Sequence, residues 1–301
     1  MALNLRTFKT RTITAILFAA IMLTGLLWNH WSFLVLFSII HFGCWWEYFN
    51  LLEKIYNTSI DRVIRVFFVV IGYFIFLVTG YNNYSYDFIV IYFGIELSIK
   101  WTLLVLILIF LFIFLFQNKQ LSPKLKWAVC AGFIYISLSL GLILDLRNLW
   151  SHFDGLKTTQ DFGYTIPVLI IASIWINDTM AYIVGSLIGK TPLSKISPKK
   201  TWEGTIGGII LSVIIVGFLF IQLGEKGIVY SYINNRQWFI MPAIASIAGT
   251  VGDLFESKLK RMANIKDSGS FMPGHGGFLD RFDSLLFAVP AVWIFLKLIL
   301  H

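Results

Sequence analysis

The residues of this sequence best suited to chemistry concentrate between positions 252 and 284, where acidic and basic side chains interleave with five glycines and one proline. Four polar residues there are spaced i, i+3, i+4 and i+7, so on a helix they share one face: Asp253, Glu256, Ser257 and Lys260. Asp280 and Asp283, spaced i, i+3, can also face one way. We therefore interpret this segment as a candidate site.

The types of these residues indicate chemistry on phosphates. Clustered carboxylates with few His or Cys suit a hard cation such as Mg²⁺, and the neighbouring Lys and Arg side chains can neutralise phosphates. Glycines around His275 let the backbone approach a ligand closely. Together they predict phosphoryl or nucleotidyl transfer. On these residues alone, a solvated loop of ordinary ion pairs stays open as the alternative.

Two further segments fit the same site. Asp178 interrupts an apolar stretch, which makes it a functional candidate, with a hydrogen-bonded packing role as the alternative. Residues 197–204 predict a helix start that carries Lys199 and Lys200, with Glu203 at i+4 from Lys199. Cations are unfavourable at a helix N-terminus unless an anion docks there. The alternative is a plain cluster of positive charges.

The composition predicts that a lipid bilayer surrounds the elements carrying these residues. Hydrophobic residues make up 57% of the 301 residues and charged residues only 13%, whereas a soluble domain carries about 25% charged residues. Nine apolar stretches are candidates to span a bilayer, which takes roughly 20 residues: 12–28, 31–50, 63–80, 88–116, 127–144, 165–188, 205–222, 239–256 and 284–300.

The predicted fold is therefore all-α: one polytopic membrane domain over 1–301, with the polar motifs in a half of about 165–301 and a less specific half over 1–164. The stretch 88–116 is the least regular, because Glu96 and Lys100 interrupt it. It is either one tilted helix or a short interfacial piece followed by a span.

The basic residues between the predicted spans indicate the orientation. They collect on the side that holds the N-terminus, while the opposite side holds only Arg147, Lys157, Lys226 and Arg236. The positive-inside rule then places the N-terminus and the polar loops 189–204 and 257–283 in the cytoplasm. The net charge of +8 is explained by this bias, and no nucleic-acid partner is expected.

A signature motif adds a resemblance to this interpretation. From Ser257 the sequence has the pattern Ser-x-Leu-Lys-Arg, four residues, Lys-Asp-x-Gly, and then Pro-x-His-Gly-Gly-Phe-x-Asp-Arg-Phe-Asp up to Asp283. It resembles the signature of phosphatidate cytidylyltransferases (CDP-diacylglycerol synthases). Met272 departs from it, where the family usually has Leu, Ile or Phe, a volume-conserving change. The resemblance extends through 197–204 and 177–182 and covers about 170–290, whereas the first half matches only in hydropathy and span count.

The resemblance implies that CTP and phosphatidic acid react to give CDP-diacylglycerol and pyrophosphate at the cell (inner) membrane. It also implies Mg²⁺, with K⁺ as an optional second cation, and a homodimer. It marks Asp253 and Asp280 as metal carboxylates, to which the chemistry adds Asp178 and Asp283. The full catalytic set that we predict is Asp253, Asp280, Asp283, Lys266, Asp267 and His275. The predicted substrate-binding set is Lys199, Lys200, Glu203, Ser257, Lys260, Arg261 and Arg281.

Two other functions stay open on the sequence. Another CTP-using membrane enzyme, such as a polyprenol or phytol kinase or a CDP-archaeol synthase, would share the nucleotide chemistry but differ in its lipid. A cation transporter would use Asp178, Asp253 and Asp280, but it needs acids along a path across the bilayer. The role of Glu47 in the second predicted span is also open, between a hydrogen-bonded structural acid, which we favour, and part of a lipid pocket.

Overall fold

The computed structural model describes residues 5–80, 89–92, 95–98, 105, 109, 121–149, 163–224, 233–269 and 276–300. Helices dominate these residues, and we number them in chain order. They are α1 (Leu5–Leu27), α2 (His30–Tyr56), α3 (Arg62–Gly80), α4 (Pro123–Gly132), α5 (Ser139–Leu149), α6 (Thr165–Ile188), α7 (Trp202–Gly224), α8 (Gln237–Met262) and α9 (Leu279–Leu300). A π-helical segment, Phe133–Leu138, joins α4 to α5.

The prediction of a polytopic helical membrane protein is confirmed. Within the described residues, seven helices are long and apolar enough to cross a bilayer, counting α4, the π-helical segment and α5 as one span over Pro123–Asn148. The apolar part of α1, Thr12–Leu27, is shorter. Eight of the nine predicted spans therefore correspond to helices of the structure.

The remaining predicted span, 88–116, needs a correction. Residues 89–98 contain an antiparallel pair of strands, β1 (Ile89–Tyr92) and β2 (Ile95–Ser98), in which Ile89 pairs with Ser98 and Tyr92 with Ile95. One continuous helix over 88–116 is therefore wrong for this part. The physical reason is local, because the run Ile-Val-Ile-Tyr is β-branched and aromatic and favours extended backbone. Apart from 105 and 109, the rest of 88–116 lies outside the described residues.

Local sequence signals explain several helix ends. Asn29 and Ser32 form a reciprocal capping box at the start of α2, with Ser32 N donating to Asn29 Oδ1 at 2.8 Å and Asn29 N to Ser32 Oγ at 3.1 Å. The α2 helix ends at Asn57, which adopts the left-handed conformation with φ 49°. Pro123 follows the N-cap Ser122 at the start of α4.

The helices pack so that α9 connects the two halves of the chain. The most extensive pairings are those of α6 with α7 and of α8 with α9. Glycines permit the first, since a Cβ on Gly204 would lie 2.7 Å from Ala181 O and 2.9 Å from Gly185 Cα. The α9 helix also contacts α2 and α5 of the first half. Its N-terminal turn, which carries Asp280 and Asp283, therefore lies among elements from both halves.

Candidate active site

A largely buried lysine joins the polar face of α8 to the start of α9. Lys260 on α8 forms an ion pair with Glu256 one turn earlier, and its Nζ lies 2.6 Å from Oδ1 of Asp280 on α9. Glu256 is fully buried, and its Oε1 has no hydrogen-bond partner among the described residues. The predicted polar face of α8 and the start of α9 thus meet, although Lys260, predicted to bind substrate, here neutralises carboxylates.

A second ion pair brings in the segment before α7. Lys200 pairs with Asp253, and the two side chains retain 33% and 26% exposure, so this pair is accessible where the Lys260 pair is not. The turn that carries Lys200 is closed by Glu203, which accepts a hydrogen bond from Thr191 Oγ1 at 2.8 Å and others from the backbone N–H groups of Lys190 and Thr191. Glu203 therefore shapes the turn that presents Lys200.

Three aspartates from three helices complete the cluster. Asp178 on α6 interacts electrostatically with Lys200 and with Asp253, and Asp283 interacts with Asp253, Asp178 and Lys260. Asp283 is buried, Asp253 half-buried and Asp178 exposed. The acids thus form a series that runs from the interior of the bundle to its surface. We call Asp178, Asp253, Glu256, Asp280 and Asp283, with Lys200 and Lys260, the acid cluster.

Asp280 also holds the signature loop in place. Its Oδ2 accepts hydrogen bonds from Ser268 N at 2.9 Å, Ser268 Oγ at 3.0 Å and Gly277 N at 2.9 Å. Gly276 has φ 79°, which favours glycine, and a Cβ there would lie 2.7 Å from the same carboxylate oxygen. Since Oδ1 faces Lys260, both oxygens of this predicted metal carboxylate have partners within the protein.

Most of the other predicted site residues are exposed. Lys199, Lys266, Asp267 and Arg281 are exposed, and Ser257 is half-buried on α8. The exposed Arg261 donates from Nη1 to Ile265 O at 3.4 Å, near the end of α8. His275 lies outside the described residues. Glu47, whose role the sequence left open, contacts the loop through Ser268, whose Oγ donates to Glu47 Oε2 at 2.7 Å.

The donor atoms of the acid cluster fit a hard divalent cation in kind. They are carboxylate oxygens, acids outnumber lysines, and one buried oxygen of Glu256 has no hydrogen-bond partner among the described residues. In the described part of the chain, however, no three His, Cys, Asp or Glu side chains are close enough together to hold a metal ion. Lys200 and Lys260 instead contact the carboxylates.

Comparisons with known proteins identify the family of this chain. The chain matches the sequence model of the cytidylyltransferase family over residues 9–299. It therefore belongs to the cytidylyltransferase family, which confirms the resemblance seen in the sequence.

Three of the similar proteins are named phosphatidate cytidylyltransferases. A phosphatidate cytidylyltransferase of Thermotoga maritima is 41% identical over 141 residues, which is 46% of this chain and 52% of the relative. One of Bacillus subtilis is 37% identical over 166 residues, 55% of this chain and 56% of the relative. One of Synechocystis is 39% identical over 165 residues, 54% and 53% of the two chains. The matched part thus spans about half the length of these relatives.

Proposed function

We propose that this chain transfers CMP from CTP to phosphatidic acid and so forms CDP-diacylglycerol and pyrophosphate. One observation carries the proposal: three sequence segments that suit phosphate chemistry meet in one cluster, in which Lys200 contacts Asp253 of another segment and Lys260 joins α8 to Asp280 of α9. The names of the relatives agree with this choice of substrates.

The reaction needs charge compensation more than base catalysis. A phosphate oxygen of phosphatidic acid attacks the α-phosphorus of CTP, a new P–O bond forms, and the bond to the β-phosphate oxygen breaks to release pyrophosphate. A phosphomonoester has a second pKa near ~6, so the nucleophile is largely ionised at neutral pH. The obstacle is the repulsion between two polyanions, which positive side chains and a cation reduce.

Different residues of the acid cluster contribute to this charge compensation. Lys200 is the accessible cation, and we propose that it exchanges Asp253 for a phosphate of CTP when the nucleotide binds. Lys260 stays between the buried Glu256 and the half-buried Asp280 and compensates their charge. Asp253, Asp283 and Asp178 are the residues that would hold Mg²⁺, with K⁺ as an optional second ion. Bound Mg²⁺ would neutralise phosphate charge and favour departure of pyrophosphate.

The lipid is proposed to enter sideways. Asp178 lies on an exposed face of α6, and one turn later Tyr182 is 78% exposed. A lipid could keep its acyl chains in the bilayer along such a face while its phosphate reached the acid cluster. We further propose that the cluster faces the cytoplasm at the cell (inner) membrane, from the distribution of basic loops, and that the enzyme is a homodimer, as the resemblance implies.

Pyrophosphate release by the purified protein in detergent tests this function. We expect release from CTP only when phosphatidic acid and Mg²⁺ are both present, with CDP-diacylglycerol recovered in equal amount. The Asp253→Asn variant should lose this turnover, whereas Asp61→Asn, the same change at the exposed start of α3, should retain it. Phosphorylation of a free lipid alcohol by CTP would support a lipid kinase instead. Metal-dependent ion flux without nucleotide turnover would support a transporter.

A further inference from the structure

We infer that Glu47 of α2 is a positioning residue for this active site: it caps the N-terminus of α9 from outside the helix and fixes the first turn that carries Asp280 and Asp283. The inference rests on the proposed function for its consequence in catalysis. The capping contact itself is a feature of the described residues and can be measured separately.

The carboxylate of Glu47 accepts three hydrogen bonds from the signature loop. Phe278 N donates to Oε1 at 2.9 Å, Leu279 N donates to Oε2 at 2.8 Å, and Ser268 Oγ donates to the same Oε2 at 2.7 Å. Glu47 is only 6% exposed, so these donors compensate the burial of its charge. The nearest of them in sequence is 221 residues away.

These contacts cap the N-terminus of α9. The α9 helix begins at Leu279, and the first N–H groups of a helix have no acceptor within it. A carboxylate at this positive end is favourable both as an acceptor and as a charge. Because Glu47 holds the N–H groups of two consecutive residues, it fixes the position and the rotation of the first turn of α9.

The loop leaves room for this carboxylate by means of two glycines. A Cβ on Gly269 or on Gly277 would collide with the Glu47 carboxylate. Of the described glycines only Gly276 has positive φ, so at Gly269 and Gly277 the requirement is space. A loop of larger residues could not close around Glu47 in this way.

Ser268 connects Glu47 to the acids of the site. Its Oγ lies 2.7 Å from Glu47 Oε2 and 3.0 Å from Asp280 Oδ2, and Asp280 in turn contacts Lys260. The carboxylate of Glu47 therefore reaches the reacting region only through other residues. With both oxygens occupied by protein donors and the side chain buried, Glu47 does not form the wall of a lipid pocket.

Replacement of Glu47 by Gln tests the inference. The amide keeps the volume but replaces one of the two acceptor oxygens with an NH2 group, which then faces a hydrogen-bond donor. We expect kcat to fall about tenfold to a hundredfold, as for other residues that orient a reactive group, with smaller changes in KM for CTP. Glu53→Gln is the matched control, since Glu53 lies on the same helix and bonds to Ile60 N and Arg65, away from the signature loop. Its kcat should change by less than about twofold.

Hydrogen exchange separates positioning from general stability. In Glu47→Gln the amides of residues 276–282 should exchange faster, while the unfolding midpoint falls no more than in Glu53→Gln. Ser268→Ala combined with Glu47→Gln should cost less than the product of the single effects, because both remove one link. When Ser268→Ala is combined with Glu53→Gln, the two effects on kcat should multiply.

Two results would overturn the inference. One is a kcat of Glu47→Gln equal to that of the control. The other is unchanged exchange at 276–282, or faster exchange spread evenly over all helices, which would assign Glu47 a general structural role. If the unmodified protein failed to turn over CTP, the proposed function would fail, whereas the exchange measurement would still decide whether Glu47 caps α9.

Discussion

The two ends of α9 both hold buried charges, yet they are built differently. At its C-terminal end Asp145 of α5 accepts a hydrogen bond from Trp293 Nε1 at 2.6 Å and lies 3.5 Å from Lys297 Nζ. Lys297 also lies over the Trp293 ring, 5.5 Å from its centroid. One acid is thus surrounded by donors of α9, and this group links α5 to α9 as a structural contact.

At the N-terminal end of α9, acidic side chains outnumber basic ones. The acid cluster contains five carboxylates and two lysines, one oxygen of the buried Glu256 has no hydrogen-bond partner in the described ranges, and the pair between Lys200 and Asp253 is accessible. Buried ion pairs are weak evidence of stabilisation in general. The excess of acid and the accessible lysine are the features on which the proposed site for a cation and a phosphate rests.

Removal of divalent cations should have the largest effect on turnover, and it should act only through the acid cluster. Treatment with EDTA should lower turnover at least ~10³-fold, and added Mg²⁺ should restore it. Mg²⁺ should also raise the thermal unfolding midpoint of the unmodified protein, since binding stabilises the folded state. An equal rise in Asp253→Asn would show that the ion binds elsewhere.

Replacement of one lysine at each end of α9 should affect the two ends differently. Lys260→Met removes the ion-pair partner of Glu256 and of Asp280 and should cost about 3–5 kcal/mol in the free energy of unfolding, together with most of the turnover. Lys297→Met leaves Asp145 with its bond from Trp293 and should cost about 1–3 kcal/mol. Turnover per folded molecule should then stay within about twofold of the unmodified protein. Chemical unfolding in mixed detergent and turnover per folded molecule measure the two effects.

A smaller difference is expected between two adjacent lysines, of which Lys200 belongs to the acid cluster and Lys199 does not. Lys200→Ala removes a charge-assisted hydrogen bond worth roughly 1.5–3 kcal/mol, so KM for CTP should rise about tenfold to a hundredfold. Lys199 is exposed, and Lys199→Ala should change KM by less than about threefold. Equal effects would mean that the two lysines act only as general positive charge.

Much of this arrangement follows from the sequence because its causes are local or periodic. Hydropathy predicted the spans that became α6–α9, and the i, i+3, i+4, i+7 spacing predicted the polar face of α8 that includes Asp253 and Lys260. The motif segments were expected to share one site, and Lys200 does meet Asp253. The strand pair at 89–98 was missed, since a hydropathy window does not distinguish a strand of Ile and Val from a helix.

The remaining features depend on contacts between distant parts of the chain. Glu47 bonds to residues more than 200 positions later, and nothing in its own neighbourhood indicates that partner. The second role of Asp280, as an anchor for Ser268 and Gly277, depends on the fold of the loop. The one available signal was the glycine content of the signature, which predicted the close approach of a ligand and which at Gly277 instead makes room for the Glu47 carboxylate.

The central claim is that the acid cluster, and not the polar group at the other end of α9, carries the reaction. The most direct measurement makes the same change at both ends and compares pyrophosphate release from CTP and phosphatidic acid, normalised to folded protein. Asp253→Asn should lose about a hundredfold or more of the turnover, whereas Asp145→Asn should keep it within about threefold. Equal losses, or a larger loss in Asp145→Asn, would contradict the account.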